Sequence, residues 1–163
     1  MRIRVLFPLC ITGLVLACAT QSRPTDTASA ALSDGPLVQS CTTSPPAGDG
    51  GVTVDITADS EGKVHFSSKT VSVDPGQTVT FVSYVNQDRC IGVSDYSIFA
   101  GGVTGPLLVS ACKSASWTLL ASDASNQYQL WACATGDCTK CTQPQGVKET
   151  INGTLEVTGR GGN

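Results

Sequence analysis

The 163-residue chain is long enough for one domain of ordinary size and carries ten basic against thirteen acidic residues, a formal charge of −3. The few Lys and Arg are scattered, which excludes a protein that neutralises a nucleic-acid backbone with clustered cations. One histidine and one methionine against eight cysteines make sulfur the chemistry to follow.

The first residues read as an export signal, residues 1–17. Arg2 and Arg4 give a positive start, Val5 to Ala17 is mostly apolar, and the run is too short to remain as a membrane span. Val15-Leu16-Ala17-Cys18 resembles the bacterial lipobox, which implies cleavage before Cys18 and acylation of that cysteine with chains of the palmitate class. Several acyl chains exceed the one-chain threshold for stable anchoring at a membrane. Ala19 in the next position implies, by the same resemblance, the outer membrane, on its periplasmic or cell-surface face. An ordinary signal peptide cut after Ala17 or Ala19 is the alternative. From Cys18 onward eight basic residues face thirteen acidic ones, a charge of −5.

Residues 18–50 are rich in Ser, Thr, Ala, Gly and Pro and read as a flexible tether, in which only Leu37, Val38 and Cys41 suggest attachment, as an edge strand joined to the domain by a disulfide. The domain spans 51–159, followed by a short tail, 160–163. Val52, Val54 and Ile56 alternate with polar neighbours as a half-buried strand does, and Val64 and Phe66 follow a Ser60-Glu61-Gly62 turn. Val71 and Val73, the turn triplet Asp74-Pro75-Gly76, then Val79 and Phe81 predict a strand, a tight turn and a strand. Further strands are expected within 93–99, 107–111, 116–121, 128–133 and 154–158, with a turn or short helix within 121–127. Short strands between Gly, Pro, Asn and Asp clusters, with no long helical period, predict an all-β antiparallel Greek-key sandwich. Periodicity alone also fits an immunoglobulin-like domain.

The order of short patterns favours one family of sandwich. Residues 71–82 resemble the early strands of the cupredoxins, the blue-copper sandwiches. Tyr128-Gln129-Leu130-Trp131-Ala132-Cys133 resembles their penultimate strand entering the ligand loop, and Gly153-Thr154-Leu155-Glu156-Val157 their closing strand. The resemblance implies a cupredoxin-like sandwich in which Cys90 stands where the first histidine ligand falls and Cys133 near the cysteine ligand, the two side by side. A type 1 copper site needs two imidazoles, a thiolate and a weak axial ligand. His65 lies on the second strand and reads as a solvent-face residue, and Met1 is the only methionine, so the copper ligands are missing.

With Cys10 in the signal and Cys18 set aside for lipid, Cys41, Cys90, Cys112, Cys133, Cys138 and Cys141 remain. In an exported chain they read as three disulfides with fifteen pairings open. The resemblance implies one of them, a Cys90–Cys133 bridge in place of the metal. The rival reading makes Cys133, Cys138 and Cys141 a thiolate cluster for Cu(I) or zinc in metal trafficking, with no second Cys pair to complete a zinc site. A thiol–disulfide redox pair at Cys138 and Cys141 lacks the βαβ context of that chemistry.

The aspartates are spread through turns without the spacing of a calcium loop, and a single histidine leaves no hydrolytic triad. Trp117, Trp131, Tyr84, Tyr96 and Tyr128 read as sandwich core before they read as a ligand patch. The expectation is therefore a non-catalytic envelope lipoprotein, not an enzyme and without a cofactor. Its membrane contact is the lipid on Cys18, and its partner, an envelope protein or a small molecule, is met by the loops around Cys90 and residues 133–146.

Overall fold

The computed structural model describes residues 38–48, 51–121, 125–142 and 151–159. The signal 1–17, Cys18, most of the tether, the far end of the 133–146 loop and the tail lie outside the described residues.

Among the described residues nine strands follow in chain order: β1 Val52–Ala58, β2 Val64–Phe66, β3 Thr70–Val73, β4 Thr78–Ser83, β5 Arg89–Val93, β6 Leu107–Val109, β7 Ser114–Thr118, β8 Asn126–Cys133 and β9 Ile151–Val157. They form two sheets, β2-β1-β4-β7 and β3-β9-β8-β5-β6. Alternation places Val54 and Ile56 of β1, Val79 and Phe81 of β4, Ile91 and Val93 of β5, Leu130 and Ala132 of β8 and Leu155 and Val157 of β9 in one buried core between the sheets. Each fully buried aliphatic or aromatic side chain contributes roughly 1.5–3 kcal/mol by leaving water. Trp117 joins this core, stacked on Phe99 at 4.4 Å and edge-on to Phe81 at 6.0 Å.

The all-β sandwich expected from the sequence is present, and its sheets are mixed, with parallel pairs beside the antiparallel ones. β1 pairs with β4 in parallel, and β3 with β9. The cause is the path of the chain. β3 and β4, read from the sequence as two strands around a tight turn, belong to opposite sheets, and the turn at Asp74-Pro75-Gly76 carries the chain across the sandwich. Gly76 takes φ +81° there, which the third position of a type II turn requires, and Gln77 N–H donates to the Asp74 carbonyl at 3.0 Å. Crossing between sheets brings β4 back beside β1 in the same direction, and a period of two looks alike in parallel and antiparallel neighbours.

The strand expected over 93–99 ends at Val93. The Asp95 carboxylate accepts the Ser97 N–H at 2.9 Å and starts a 3-10 turn, Tyr96–Ile98, so a local side-chain bond wins over the ladder. The segment before β1 is attached as Val38 and Cys41 suggested. Ser40 bridges Val85, Cys41 N–H donates to the Tyr84 carbonyl at 2.9 Å, and Cys41 is bonded to Cys112. Further along, Gly48 packs on Thr80, and Gly51, at φ +84°, passes so close to the Thr78 carbonyl that a Cβ would lie 2.1 Å from it.

Candidate functional site: a sulfur-closed corner

β5 and β8 pair antiparallel with Cys90 directly opposite Cys133 and Gly92 opposite Trp131. Because Ile91, Val93, Leu130 and Ala132 face the main core, these four point to the outer face of the sheet. Cys90, Trp131 and Cys141 there form a second, small buried cluster, with Cys133 and Cys138 packed against it. The lid is the stretch after β8. Asp137 caps a 3-10 turn, Cys138–Lys140, by accepting the Thr139 N–H at 3.2 Å, and Cys141 N–H closes the turn on the Cys138 carbonyl at 3.2 Å.

The bridges are Cys90–Cys138, with Cα atoms 5.3 Å apart, and Cys133–Cys141, at 5.7 Å. The Cys90–Cys133 pairing implied by the cupredoxin resemblance is thereby corrected, although the two cysteines are neighbours as that resemblance required. The reason is geometric. Residues directly opposite on antiparallel strands hold their Cβ atoms about 4.5–5.5 Å apart, whereas a disulfide wants about 3.8 Å. Cysteines on a short turn above the sheet can approach to that distance without bending the strands.

Trp131 lies flat over Gly92, where a Cβ would come within 2.3 Å of its Nε1, so the glycine makes room for the indole. The indole is buried, and its N–H has no hydrogen-bond partner among the described residues. Beside it a groove of about 400 Å³ opens to solvent between Ser94 and Tyr96, the 104–106 loop, and Thr139 to Thr142. Burial pushes the Tyr96 phenol up, which keeps it neutral. On the lid, Asp137 is held below the ordinary carboxylate range, first by the Thr139 hydroxyl and then by Lys140, whose Nζ lies 3.0 Å away.

The remaining sequence candidates fall elsewhere. Cys41 and Cys112 join each other beside Val85, ahead of β5. His65 is exposed on β2 in the other sheet, within 3.1 Å of the Thr57 hydroxyl. Trp117 is core, while Tyr84, Tyr96 and Tyr128 are half-buried. The groove itself was not read from the sequence as a cavity, because its walls come from three separated loops. Among the described residues no group of three or more His, Cys, Asp or Glu side chains is placed to hold a metal. The residues at this corner do not fit a type 1 copper ion. Both sulfurs near the implied ligand positions are taken up in disulfides, and the single imidazole belongs to the other sheet.

No protein-family model and no curated protein matches the chain. Among solved structures it is similar to an oxidised amicyanin variant, at 18% identity over 75% of this chain and 99% of that one with a TM-score of 0.41. It is also similar to amicyanin from Paracoccus versutus, at 13% identity over 74% and 97% with a TM-score of 0.42. The chain's own strand order is that of a two-sheet, disulfide-bonded β-sandwich, and Cys90 lies beside Cys133 as the cupredoxin resemblance of the sequence implies.

Proposed function

We propose that this chain is a non-catalytic outer-membrane lipoprotein, anchored through an acylated Cys18, whose sandwich has lost a type 1 copper site and serves as a binding or structural module. The observation that carries the reading is the closure of the corner. Where the resemblance puts metal ligands, two disulfides tie a short turn down over Trp131 and leave a groove walled by Ser94, Tyr96, Thr139 and Thr142. A pinned loop beside a shallow groove presents a rigid recognition surface at little entropic cost on binding. The partner is an envelope protein segment or a small molecule that meets hydroxyls and an aromatic edge.

The test is the intact mass and metal content of the protein exported from its own signal. The expected product begins at Cys18 with acyl mass, resists alkylation until reduced, then takes six adducts, and carries no stoichiometric copper or zinc. Cys18→Ser is expected to move it from the membrane to the soluble envelope fraction. Reactive thiols with stoichiometric metal in the protein as exported would overturn the reading and select the rival one, Cu(I) or zinc on Cys133, Cys138 and Cys141.

A further inference from the structure

We propose that the same corner, once reduced, is a tetrathiolate site for a divalent zinc-class cation, built by Cys90, Cys133, Cys138 and Cys141. This goes beyond the three-sulfur cluster legible in the sequence, because the fourth donor, Cys90, is 43 residues upstream of Cys133 and is brought beside it only by strand pairing.

The four sulfurs come in two pairs that face each other. Cys90 and Cys133 are cross-strand partners on one face of the sheet. Cys138 opens the 3-10 turn and Cys141 is the residue that closes it, its N–H on the Cys138 carbonyl at 3.2 Å, and both pack against the strand pair. Each strand cysteine is bonded to a different turn cysteine, so the four already form a closed ring of neighbours. Tetrahedral zinc holds thiolates about 2.3 Å from the metal, hence about 3.8 Å from one another. Within each bonded pair, opening from the usual disulfide length of about 2.05 Å to that spacing moves each sulfur by about 0.9 Å.

A second observation points the same way. Trp131 is a member of the buried cluster that holds these cysteines, and its indole N–H has no acceptor among the described residues. A thiolate is an acceptor, and a donor beside metal-bound sulfur stabilises its charged form. Cys90 and Cys141 are buried, as a closed structural site requires.

The chemistry balances with an external dithiol. Each bridge accepts two electrons and two protons from one dithiol, which leaves as its own disulfide. Two dithiols thus convert two bridges to four thiols, and the cation displaces the four thiol protons as it binds. The reverse exchange, in which two small-molecule disulfides take up the four electrons and four protons and leave as dithiols, re-forms both bridges, expels the metal and relocks the loop.

The test uses the exported protein in detergent, reduced with a dithiol, freed of reductant under nitrogen, and titrated with Co(II) and then Zn(II). One Co(II) per chain is expected, with the visible bands of tetrahedral thiolate coordination, displaced by one equivalent of Zn(II). The oxidised protein is expected to bind neither. Loss of an outer hydrogen-bond partner weakens metal sites by about 10- to 100-fold, so Trp131→Phe is expected to cost about tenfold, and Cys90→Ser, which removes a ligand itself, more than that range, over about 100-fold. A Cys41→Ser, Cys112→Ser double variant is expected to bind as the parent does. In the unaltered protein, Zn(II) is expected to protect Cys90, Cys133, Cys138 and Cys141 from alkylation while Cys41 and Cys112 react, a readout that does not depend on any variant folding. Absence of stoichiometric tetrahedral binding would overturn the proposal. So would alkylation of Cys90 in the metal-loaded protein, a result that leaves only the three-sulfur cluster.

Discussion

The sandwich interior and the corner over its outer face are held by different forces. Between the sheets, Ile56, Phe81, Val79, Ile91, Leu130 and Leu155 are fully or nearly fully buried. Their cohesion is hydrophobic, spread over many contacts, and indifferent to any one covalent bond. Over the outer face, residues 134–142 bury little besides Cys141, and the turn is held by two disulfides and its own Asp137 cap. The contrast teaches that a fold can be redundant while the loop it presents is not: the corner depends on two covalent bonds where the interior depends on many contacts.

Phe81→Ala attacks the first region and should have the largest effect. Phe81 is fully buried and meets Phe66 at 6.2 Å and Trp117 at 6.0 Å. Truncation of such a ring costs roughly 3–5 kcal/mol through lost transfer energy and an unfilled cavity. The urea midpoint should fall accordingly, with no selective loosening of the corner. Opening the Cys90–Cys138 bridge by paired serines attacks the second. It closes a separation of 48 residues, and its loss should cost roughly 2–4 kcal/mol. Hydrogen exchange sharpens the comparison: amides of 134–142 should lose protection while those of β1, β4 and β9 keep theirs. Uniform loss of protection would show that corner and core are one cooperative unit.

Much of the first region was legible in the sequence and less of the second. Alternation at Val52, Val54 and Ile56 and at Val79 and Phe81 identified strands and their buried faces, since period two follows from backbone geometry alone. It did not tell which sheet a strand joins, so the parallel β1–β4 and β3–β9 pairs were missed. Cys41 showed itself as an anchor because it is a cysteine in a stretch otherwise poor in residues that could fill a core. At the corner, the cupredoxin resemblance placed Cys90 near Cys133 correctly, but the partner choice depends on which face of the sheet each sulfur occupies and where the turn folds, neither of which is local. The break after Val93 had a signal in Ser94-Asp95, residues that capture backbone N–H groups, against an apolar pattern that favoured a longer strand.

Gly92→Ala tests the seam between the regions. An added methyl would lie 2.3 Å from the Trp131 ring, and the indole must tilt to admit it. Overpacking of this kind costs roughly 1–3 kcal/mol. Because Trp131 also lines the groove and sits under both bridges, its fluorescence should shift with no change in the Trp117 environment. Trp131→Phe in the same background separates the two emissions, and an unchanged spectrum in Gly92→Ala would mean that the indole is not held against the strand.

The smallest effect expected is electrostatic and confined to the lid. Asp137 accepts the Thr139 N–H and hydroxyl, and Lys140 lies beside it, so its carboxylate is held below the ordinary range, with the Thr139 hydroxyl as the largest cause. A depressed carboxyl favours the folded turn at pH values above the unfolded-state pKa. That contribution is lost as the pH falls through the lowered folded value. Full exposure and salt screening keep it small, and the turn's covalent ties prevent it from unfolding the domain. The expected outcome is therefore local. Acidification below the usual carboxylate range should raise exchange at Thr139 and Lys140 amides while the bridges stay intact, and Asp137→Asn should show a weaker pH response because the amide oxygen still accepts the cap. If the parent and Asp137→Asn respond to acid alike, the cap contributes nothing beyond what the two disulfides impose, and the corner is held by sulfur alone.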